Sequence, residues 1–181
     1  MIIGSISENK KIEQRVAITP EVIKKYKSLG VQIYLSKNYA QHIGISDDDY
    51  IAEGATISTD HEIISNSNVI LQMNILSNEN LGKLRQGQFL VGVLDPYSNG
   101  QKLKELCAKK INCFSLELLP RITRAQSMDI LSSQANLAGY KAVVDSFAYF
   151  QKAIPMMMTA AGTISAAKVL VVGAGVAGLQ A

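Results

Sequence analysis

The chain has 181 residues, of which 48% are hydrophobic and 18% are charged, a balance typical of a globular protein that buries a core. Its formal net charge of +3 comes from 18 basic and 15 acidic residues mixed along the chain, and this mixing argues against nucleic-acid binding. The two cysteines, Cys107 and Cys113, and the two histidines, His42 and His61, have no paired spacing, which argues against a disulfide framework and a metal site.

Strands and helices are predicted to alternate along most of the chain. Runs of β-branched residues predict strands, and stretches with apolar residues three or four positions apart predict helices. In chain order, the predicted segments are a strand at 1–6, a helix from Pro20 to the end signal Gly30, a strand at 31–35, a helix at 47–52, strands at 69–73 and 89–94, a helix at 101–109 and a strand at 111–118. This alternation predicts an α/β fold, in which helices flank a mostly parallel sheet as in flavodoxin-like and Rossmann-like domains.

The first helix has start and stop signals in the sequence. Thr19 is predicted to cap its free amides, Pro20 suits the first helical position, and Gly30 suits the helix end. Its apolar face is predicted to consist of Val22, Ile23, Tyr26 and Leu29.

The apolar period changes after Met128 and becomes a long helical stripe. The stripe consists of Ile130, Leu131, Leu137, Tyr140, Val144, Phe147 and Phe150. It predicts one helix over residues 127–152, a connector between two domains, and Pro155 prevents its continuation. The methionines at 156–158 are predicted to fill gaps in a packed interior.

A glycine motif follows an apolar run near the end of the chain. Residues 169–172 predict a buried strand, and Gly173, Gly175 and Gly178 then give the pattern G-x-G-x-x-G. In a dinucleotide-binding βαβ unit these glycines permit a tight turn, a close approach of the pyrophosphate and close helix packing, and the helix N-terminus offers free amides to phosphates. The motif therefore predicts an NAD site, and a glycine-rich turn without a ligand is the alternative.

Val176 and Ala177, between the second and third glycines, are predicted to share the contact with the cofactor. The acidic residue that binds the adenosine ribose in such units lies about 20 positions further on. We therefore expect the start of a Rossmann NAD-binding domain rather than a complete one, and weak or no NAD binding by these 181 residues alone. The stretch also contains glycines and a lysine, which argues against a membrane span, and the N-terminus lacks the pattern of a signal peptide.

A second polar cluster lies between a predicted strand end and the long helix. Arg121, Gln126, Asp129 and Ser132 fall within a short segment. Because ligands bind at the carboxyl ends of strands in α/β sheets, this segment predicts a site in which these groups contact an amide or a ribose. The alternative is helix capping together with a surface salt bridge.

Arg15 is a third candidate, because it follows the first predicted strand. Its planar guanidinium could bind a carboxylate ligand in a bidentate manner. It could equally pair with Glu8 or Glu13, and the sequence leaves these alternatives open.

The ordered segments EQRVAITP, PRITRAQSMDILSSQANLAGYKAV, MMMTAAGTI and KVLVVGAGVAGLQA cover most of the chain. Together they resemble the N-terminal, NAD(H)-binding portion of the alpha subunit of proton-translocating NAD(P) transhydrogenase, in the alanine dehydrogenase/transhydrogenase superfamily. The resemblance implies Re/Si-specific hydride transfer between NADH and NADP⁺, with NAD bound by this portion. It places Arg121, Gln126, Asp129 and Ser132 near the nicotinamide and its ribose, with Gln126 as an orienting hydrogen-bond partner.

The resemblance also implies partners and a location. The partners are NADP-binding and membrane-spanning transhydrogenase subunits or domains, and a second copy in a homodimer. The location is cytoplasmic, at the inner membrane through those partners, without direct membrane insertion. The predicted domain division is an α/β domain at 1–126, a connecting helix at 127–152 and the start of the Rossmann domain at 153–181.

Two other functions remain as alternatives. One is a catalytically incompetent α/β chain that acts only in dimerisation or partner binding. The other is an amino-acid oxidoreductase similar to alanine dehydrogenase, whose pattern has a lysine and a histidine where we align Asn74 and Asp95. Because a keto acid needs cationic and proton-donating partners, these two residues argue against that activity.

Overall fold

The computed structural model describes all residues from Met1 to Ala181. The chain forms two compact units, Met1–Leu119 and Pro120–Ala181, which we call unit 1 and unit 2 and describe separately. The three-part domain division at residues 126 and 152 stays a prediction.

A six-stranded parallel sheet forms the centre of unit 1. Its strands are β1 (Ile2–Ser5), β2 (Gln32–Ser36), β3 (Thr56–Ser58), β4 (Val69–Asn74), β5 (Phe89–Val93) and β6 (Asn112–Ser115). They stand in the order β3-β2-β1-β4-β5-β6, and all neighbouring pairs are parallel. The direction in which the chain adds strands therefore reverses between β1 and β4. This arrangement confirms the predicted α/β fold class.

One helix connects each pair of successive strands in unit 1. The helices are α1 (Pro20–Ser28), α2 (Asp47–Glu53), α3 (Asp60–Asn66), α4 (Asn78–Lys83) and α5 (Gly100–Ala108). Helices α1, α2 and α5 were predicted, whereas β3, α3 and α4 were not. The predicted strand at 111–118 is shorter, because a 3₁₀ turn at Leu116–Leu118 follows β6.

Helix α1 differs from its prediction at both ends. Thr19 stands at the N-cap but makes no capping hydrogen bond, since its hydroxyl bonds to the Glu21 side chain instead. Pro20 is the first helical residue, as predicted. Leu29 is 74% exposed because it lies beyond the last helical turn, where the apolar period no longer applies.

The core of unit 1 consists of two apolar clusters. Ile70 and Leu90 of the sheet pack in a cluster with side chains of α3, α4 and α5. Ile33 and Leu35 of β2 pack in the other cluster with side chains of α1 and α2. Two groups of helices therefore bury the sheet in two separate clusters, as expected for a doubly wound α/β fold.

A buried carboxamide connects the end of β1 to β4. Gln72 accepts a hydrogen bond from the backbone N–H of Ile6 at 2.8 Å and donates one to the Ile6 carbonyl at 3.2 Å. The Ser5 hydroxyl lies 3.0 Å from Gln72 Oε1 and 2.7 Å from the Tyr39 hydroxyl. Because buried polar groups destabilise the fold unless they are paired, these bonds stabilise the point where the strand order reverses.

Unit 2 contains one long helix and three short elements. A 3₁₀ turn at Thr123–Met128 is followed by α6 (Ile130–Tyr149), the antiparallel strands β7 (Met157–Thr159) and β8 (Gly162–Ile164), and α7 (Val176–Gln180). Helix α6 is shorter than its predicted range because Asp129 caps its start and Phe150 has extended backbone angles. No helix of the chain combines the length and the apolar character needed to cross a lipid bilayer.

Two packing predictions for unit 2 are wrong. The methionines at 156–158 do not fill an interior: Met158 is 85% exposed, because β7 and β8 form a hairpin without a second layer. Residues 169–172 form no strand, and Leu170 and Val172 are 86% and 90% exposed. A strand needs neighbouring strands for its backbone hydrogen bonds, and no segment of the unit pairs with these residues.

Candidate functional site

The four polar residues predicted as a cluster lie together in unit 2. Arg121, Gln126, Asp129 and Ser132 line one cleft of about 710 Å³, which we call the unit 2 cleft. Val176, the first residue of α7 and part of the glycine motif, lines the same cleft. The structure therefore brings the polar cluster and one end of the glycine motif to a single place.

Asp129 is held firmly at the start of α6. Its Oδ1 accepts the backbone N–H groups of Leu131 and Ser132, both at 3.0 Å, and the Ser132 hydroxyl donates to Oδ2 at 2.6 Å. The Ser132 hydroxyl contributes most to lowering the pKa of Asp129, its backbone N–H contributes next, and the Arg121 charge adds a smaller part. The capping predicted as an alternative is therefore present, and it keeps an ionised carboxylate in the cleft.

The predicted salt bridge in this cluster is absent. The four ion pairs of the chain involve other residues, so Arg121 and Asp129 are not directly paired. The Gln126 side chain is exposed within the 3₁₀ turn and has no hydrogen-bond partner in the chain. The guanidinium of Arg121 and the carboxamide of Gln126 therefore keep their hydrogen-bonding groups available to a ligand.

The glycine motif has the local geometry that a bound diphosphate requires. Gly173 has a φ of +107°, a conformation that side chains disfavour. A Cβ atom at Gly178 would overlap the carbonyl oxygen of Gly173, with the carbonyl carbon only 2.9 Å away. At Gly175, by contrast, no atom lies within 4 Å of the Cβ position, which leaves room for a ligand close to the backbone. The residues present therefore fit a dinucleotide.

A second cavity, which we call the unit 1 crevice, has a volume of about 440 Å³. It is lined by residues that follow β1 and by the end of β4, including Glu8, Glu13 and Asn74. This is the point where the strand order reverses, the usual position of ligands in open α/β sheets.

Arg15 pairs with Glu13, one of the partners that the sequence left open. Its Nε donates to Glu13 Oε1 at 2.8 Å and its Nη2 donates to Oε2 at 2.6 Å. These bonds lower the pKa of Glu13 from 4.5 to about 2, mainly through the Arg15 side chain and against the opposing effect of burial. The bidentate face of Arg15 is therefore occupied by a carboxylate of the chain itself.

Asn74 joins two carboxylates at the crevice. Its Nδ2 lies 3.5 Å from Glu8 Oε2 and 3.4 Å from Glu13 Oε2. Glu8 Oε1 also accepts the backbone N–H groups of Met73 at 2.8 Å and Asn74 at 3.2 Å. Sequence reasoning named Glu8 only as a possible partner of Arg15 and missed its contact with β4. The available signal was an acidic residue just beyond the carboxyl end of a strand.

Asp95 lies outside the unit 1 crevice. It has a positive φ of 43° in the segment between β5 and α5, and its backbone N–H donates to Glu117 Oε1 at 2.6 Å. No group of His, Cys, Asp and Glu side chains is arranged to hold a metal ion, and Cys107 and Cys113 are not bridged.

Comparison with known proteins assigns both ends of the chain to one family. Residues 4–138 match the family described as "Alanine dehydrogenase/PNT, N-terminal domain", and residues 142–181 match "Alanine dehydrogenase/PNT, C-terminal domain". The chain belongs to the alanine dehydrogenase/PNT family. This result confirms the superfamily that the sequence motifs suggested.

Within the alanine dehydrogenase/PNT family, the chain is more similar to transhydrogenases than to alanine dehydrogenases. It is 45% identical over its whole length to the first of the polypeptides that form NAD(P) transhydrogenase subunit alpha in Rickettsia prowazekii, and 44% identical to the protein of the same name from Rhodospirillum rubrum. It is 27% identical to an alanine dehydrogenase of Methanococcus maripaludis. The chain spans 49% of the length of each of these relatives.

Solved structures of the family give the same picture. The crystal structure of transhydrogenase from Sinorhizobium meliloti matches with a TM-score of 0.94 and 43% identity over 99% of this chain and 54% of that chain. An L-alanine dehydrogenase structure matches with a TM-score of 0.82 and 17% identity over 99% of this chain and 50% of that chain, which supports the fold alone.

Proposed function

We propose that the chain is the NAD(H)-binding portion of an NAD(P) transhydrogenase, in which hydride passes between NADH and NADP⁺ and partner subunits couple this transfer to proton translocation. The observation that carries the proposal is the unit 2 cleft, where the polar cluster meets the helix of the glycine motif. The identity of 45% with a transhydrogenase subunit, against 27% with an alanine dehydrogenase, supports the same choice.

The glycine motif is the proposed binding site for the diphosphate of NAD. Gly173 makes the tight turn, Gly175 leaves open space for the phosphates, and Gly178 permits the close approach of α7 to the loop. Val176 and Ala177 complete the proposed contact. The choice of NAD over NADP rests on the resemblance to transhydrogenase alpha subunits.

The polar cluster is the proposed site for the nicotinamide and its ribose. Bound NAD(H) supplies the hydride, and the residues of the cleft bind and orient it. Gln126 offers both a donor and an acceptor for the nicotinamide carboxamide, while Asp129 with Ser132 and the cation Arg121 contact the neighbouring ribose. Hydride transfer between two nicotinamides leaves no proton to place, so the cluster acts by positioning rather than by general acid–base chemistry.

Exposed apolar side chains of unit 2 support association with other subunits. Those of α6 that are more than a third exposed include Leu131, Leu137, Tyr140, Val144, Phe147 and Tyr149. We propose a homodimer that also binds NADP-binding and membrane-spanning subunits, at the cytoplasmic side of the inner membrane, because the relatives are named as subunits. The same side chains favour the second candidate function, a chain that acts only in dimerisation or partner binding.

An amino-acid oxidoreductase is the less favoured function. A keto acid needs a cation for its carboxylate, whereas the unit 1 crevice has Arg15 bound to Glu13 and the neutral Asn74 in contact with both carboxylates.

The proposed function is tested in an assembled transhydrogenase that contains this chain. Single-turnover hydride transfer from NADH to NADP⁺ is measured for the wild type, for Gln126→Asn and for the control Gln151→Asn, an exposed residue outside the cleft. Shortening Gln126 by one methylene should slow the transfer roughly 10- to 100-fold, and the control should leave the rate unchanged. An assembled wild-type enzyme without transfer activity would refute the proposal, and an unchanged Gln126→Asn rate would remove the role of Gln126.

A further inference from the structure

Gly139 is the one buried residue of α6, and it lies against the backbone of α7. A Cβ atom at this position would overlap the carbonyl oxygen of Ala177 and would lie 2.9 Å from its carbonyl carbon and 3.0 Å from its Cα. These are backbone atoms, which cannot rotate away as the end of a side chain can. The two helices therefore meet at a point where only glycine fits.

A second contact holds the same pair of helices together. Asn136 Nδ2 donates a hydrogen bond to Gln180 Oε1 at 2.8 Å. Asn136 lies three residues before Gly139 on α6, and Gln180 lies three residues after Ala177 on α7, so each pair occupies one side of its helix. Two contacts about one helical turn apart fix both the distance and the alignment of α7 on α6.

These contacts lie next to the unit 2 cleft. Val176, which lines the cleft, immediately precedes Ala177. Ser132, which also lines the cleft, lies two turns before Gly139 on the same side of α6. The separation of α6 and α7 at Gly139 therefore determines the distance between the polar cluster and the start of the glycine-motif helix.

We propose that Gly139 is a positioning residue for the cofactor, and this inference rests on the proposed function. Its missing side chain allows the glycine motif to sit close enough to Asp129 and Ser132 for one dinucleotide to contact both. A glycine inside a helix weakens that helix relative to alanine, so helix formation alone does not account for glycine at this position. A side chain at position 139 pushes α7 outward and widens the cleft, without changing any group that contacts the cofactor.

The test compares two identical substitutions in an assembled transhydrogenase that contains this chain. Gly139→Ala introduces a methyl group at the helix contact. Gly82→Ala introduces the same group inside α4, where no atom lies within 4 Å of the Cβ position. For each enzyme we would measure NADH affinity by equilibrium dialysis, single-turnover hydride transfer at saturating NADH, and the folded fraction by circular dichroism.

We expect Gly139→Ala to slow hydride transfer at saturating NADH by roughly 10-fold or more while the folded fraction stays unchanged, because small misplacements of bound reactants strongly reduce rates. Gly82→Ala should match the wild type in all three measurements. If Gly139→Ala does not fold, Asn136→Ala tests the same contact, since Asn136 is exposed and its removal adds no bulk. It should slow transfer several-fold.

The outcomes separate the inference from the function on which it rests. Absence of hydride transfer in the wild type overturns the proposed function and the inference with it. An active wild type with Gly139→Ala within twofold of its rate overturns the inference alone. A loss of rate that only follows the loss of folded protein also overturns it, because glycine would then be needed for folding and not for positioning.

Discussion

Replacing Glu13 with glutamine removes the charge that Arg15 contacts and keeps the size of the side chain. In the folded chain the pKa of Glu13 is about 2 instead of 4.5, mainly because of its hydrogen bonds with Arg15. A difference of that size corresponds to about 3 kcal/mol. Because the Arg15 side chain is 51% exposed, solvent screens part of the interaction, and we expect Glu13→Gln to lower the free energy of unfolding by about 1–2 kcal/mol at pH 7.

The loss should depend on pH in a defined direction. A carboxylate whose pKa is lowered by folding stabilises the protein above its unfolded-state pKa, and this stabilisation disappears as pH falls through the folded-state pKa. The difference between wild type and Glu13→Gln should therefore be constant near neutral pH and shrink between pH 4.5 and about pH 2. Urea unfolding at pH 7, 5, 4 and 3 measures it, with near-UV circular dichroism of the buried Tyr39 and Tyr50 as the signal.

Glu79→Gln is the matched control for this experiment. The Glu79 side chain is 80% exposed and pairs with Lys83 on the surface of α4, so its loss should not change stability measurably at any of these pH values. A Glu13→Gln difference that is absent at pH 7, or equally large at pH 7 and pH 3, would show that the ion pair does not stabilise unit 1 as argued.

Two further substitutions test the packing of unit 1. Tyr50→Phe leaves the Ile18 carbonyl, which accepts from the buried Tyr50 hydroxyl at 2.9 Å, without its donor, and calorimetry should show a loss of about 1–2 kcal/mol; an unchanged transition would contradict this role. Ser46→Ala removes the acceptor for the Asp49 backbone N–H at the start of α2 and should cost about 1 kcal/mol in urea unfolding. Ser46→Asp should restore most of that loss, and equal stability of both variants would refute the capping argument.

The longer elements of unit 1 could be predicted because each carries its own signal. Strands β2, β4 and β5 have apolar runs, and α2 begins with a capping residue. The short elements depend more on their neighbours: β3 is only Thr56–Ser58, and its extended form is stabilised by pairing with β2. Helix α3 does carry a readable signal, since Thr59 and Glu62 form a capping box, but its apolar period is too short to indicate a helix by itself.

The candidate site divides in the same way. The closeness of Arg121 to Ser132 in sequence was enough to predict that they cluster. That Val176 joins them was not predictable from spacing, because it depends on contacts between residues such as Asn136 and Gln180, which are 44 positions apart. Likewise, Arg15 had two carboxylates within reach in the sequence, and only the folded loop selects Glu13.

Gln72 limits how the unit 1 crevice can change during evolution. Its carboxamide supplies an acceptor to the Ile6 N–H and a donor to the Ile6 carbonyl, both in the buried interior. Glutamate lacks the donor, methionine lacks both groups, and asparagine is one methylene too short to replace both bonds. Side chains on the crevice wall, such as Asn74, can therefore diversify toward new ligands, while position 72 has to remain glutamine for the two halves of the sheet to stay joined.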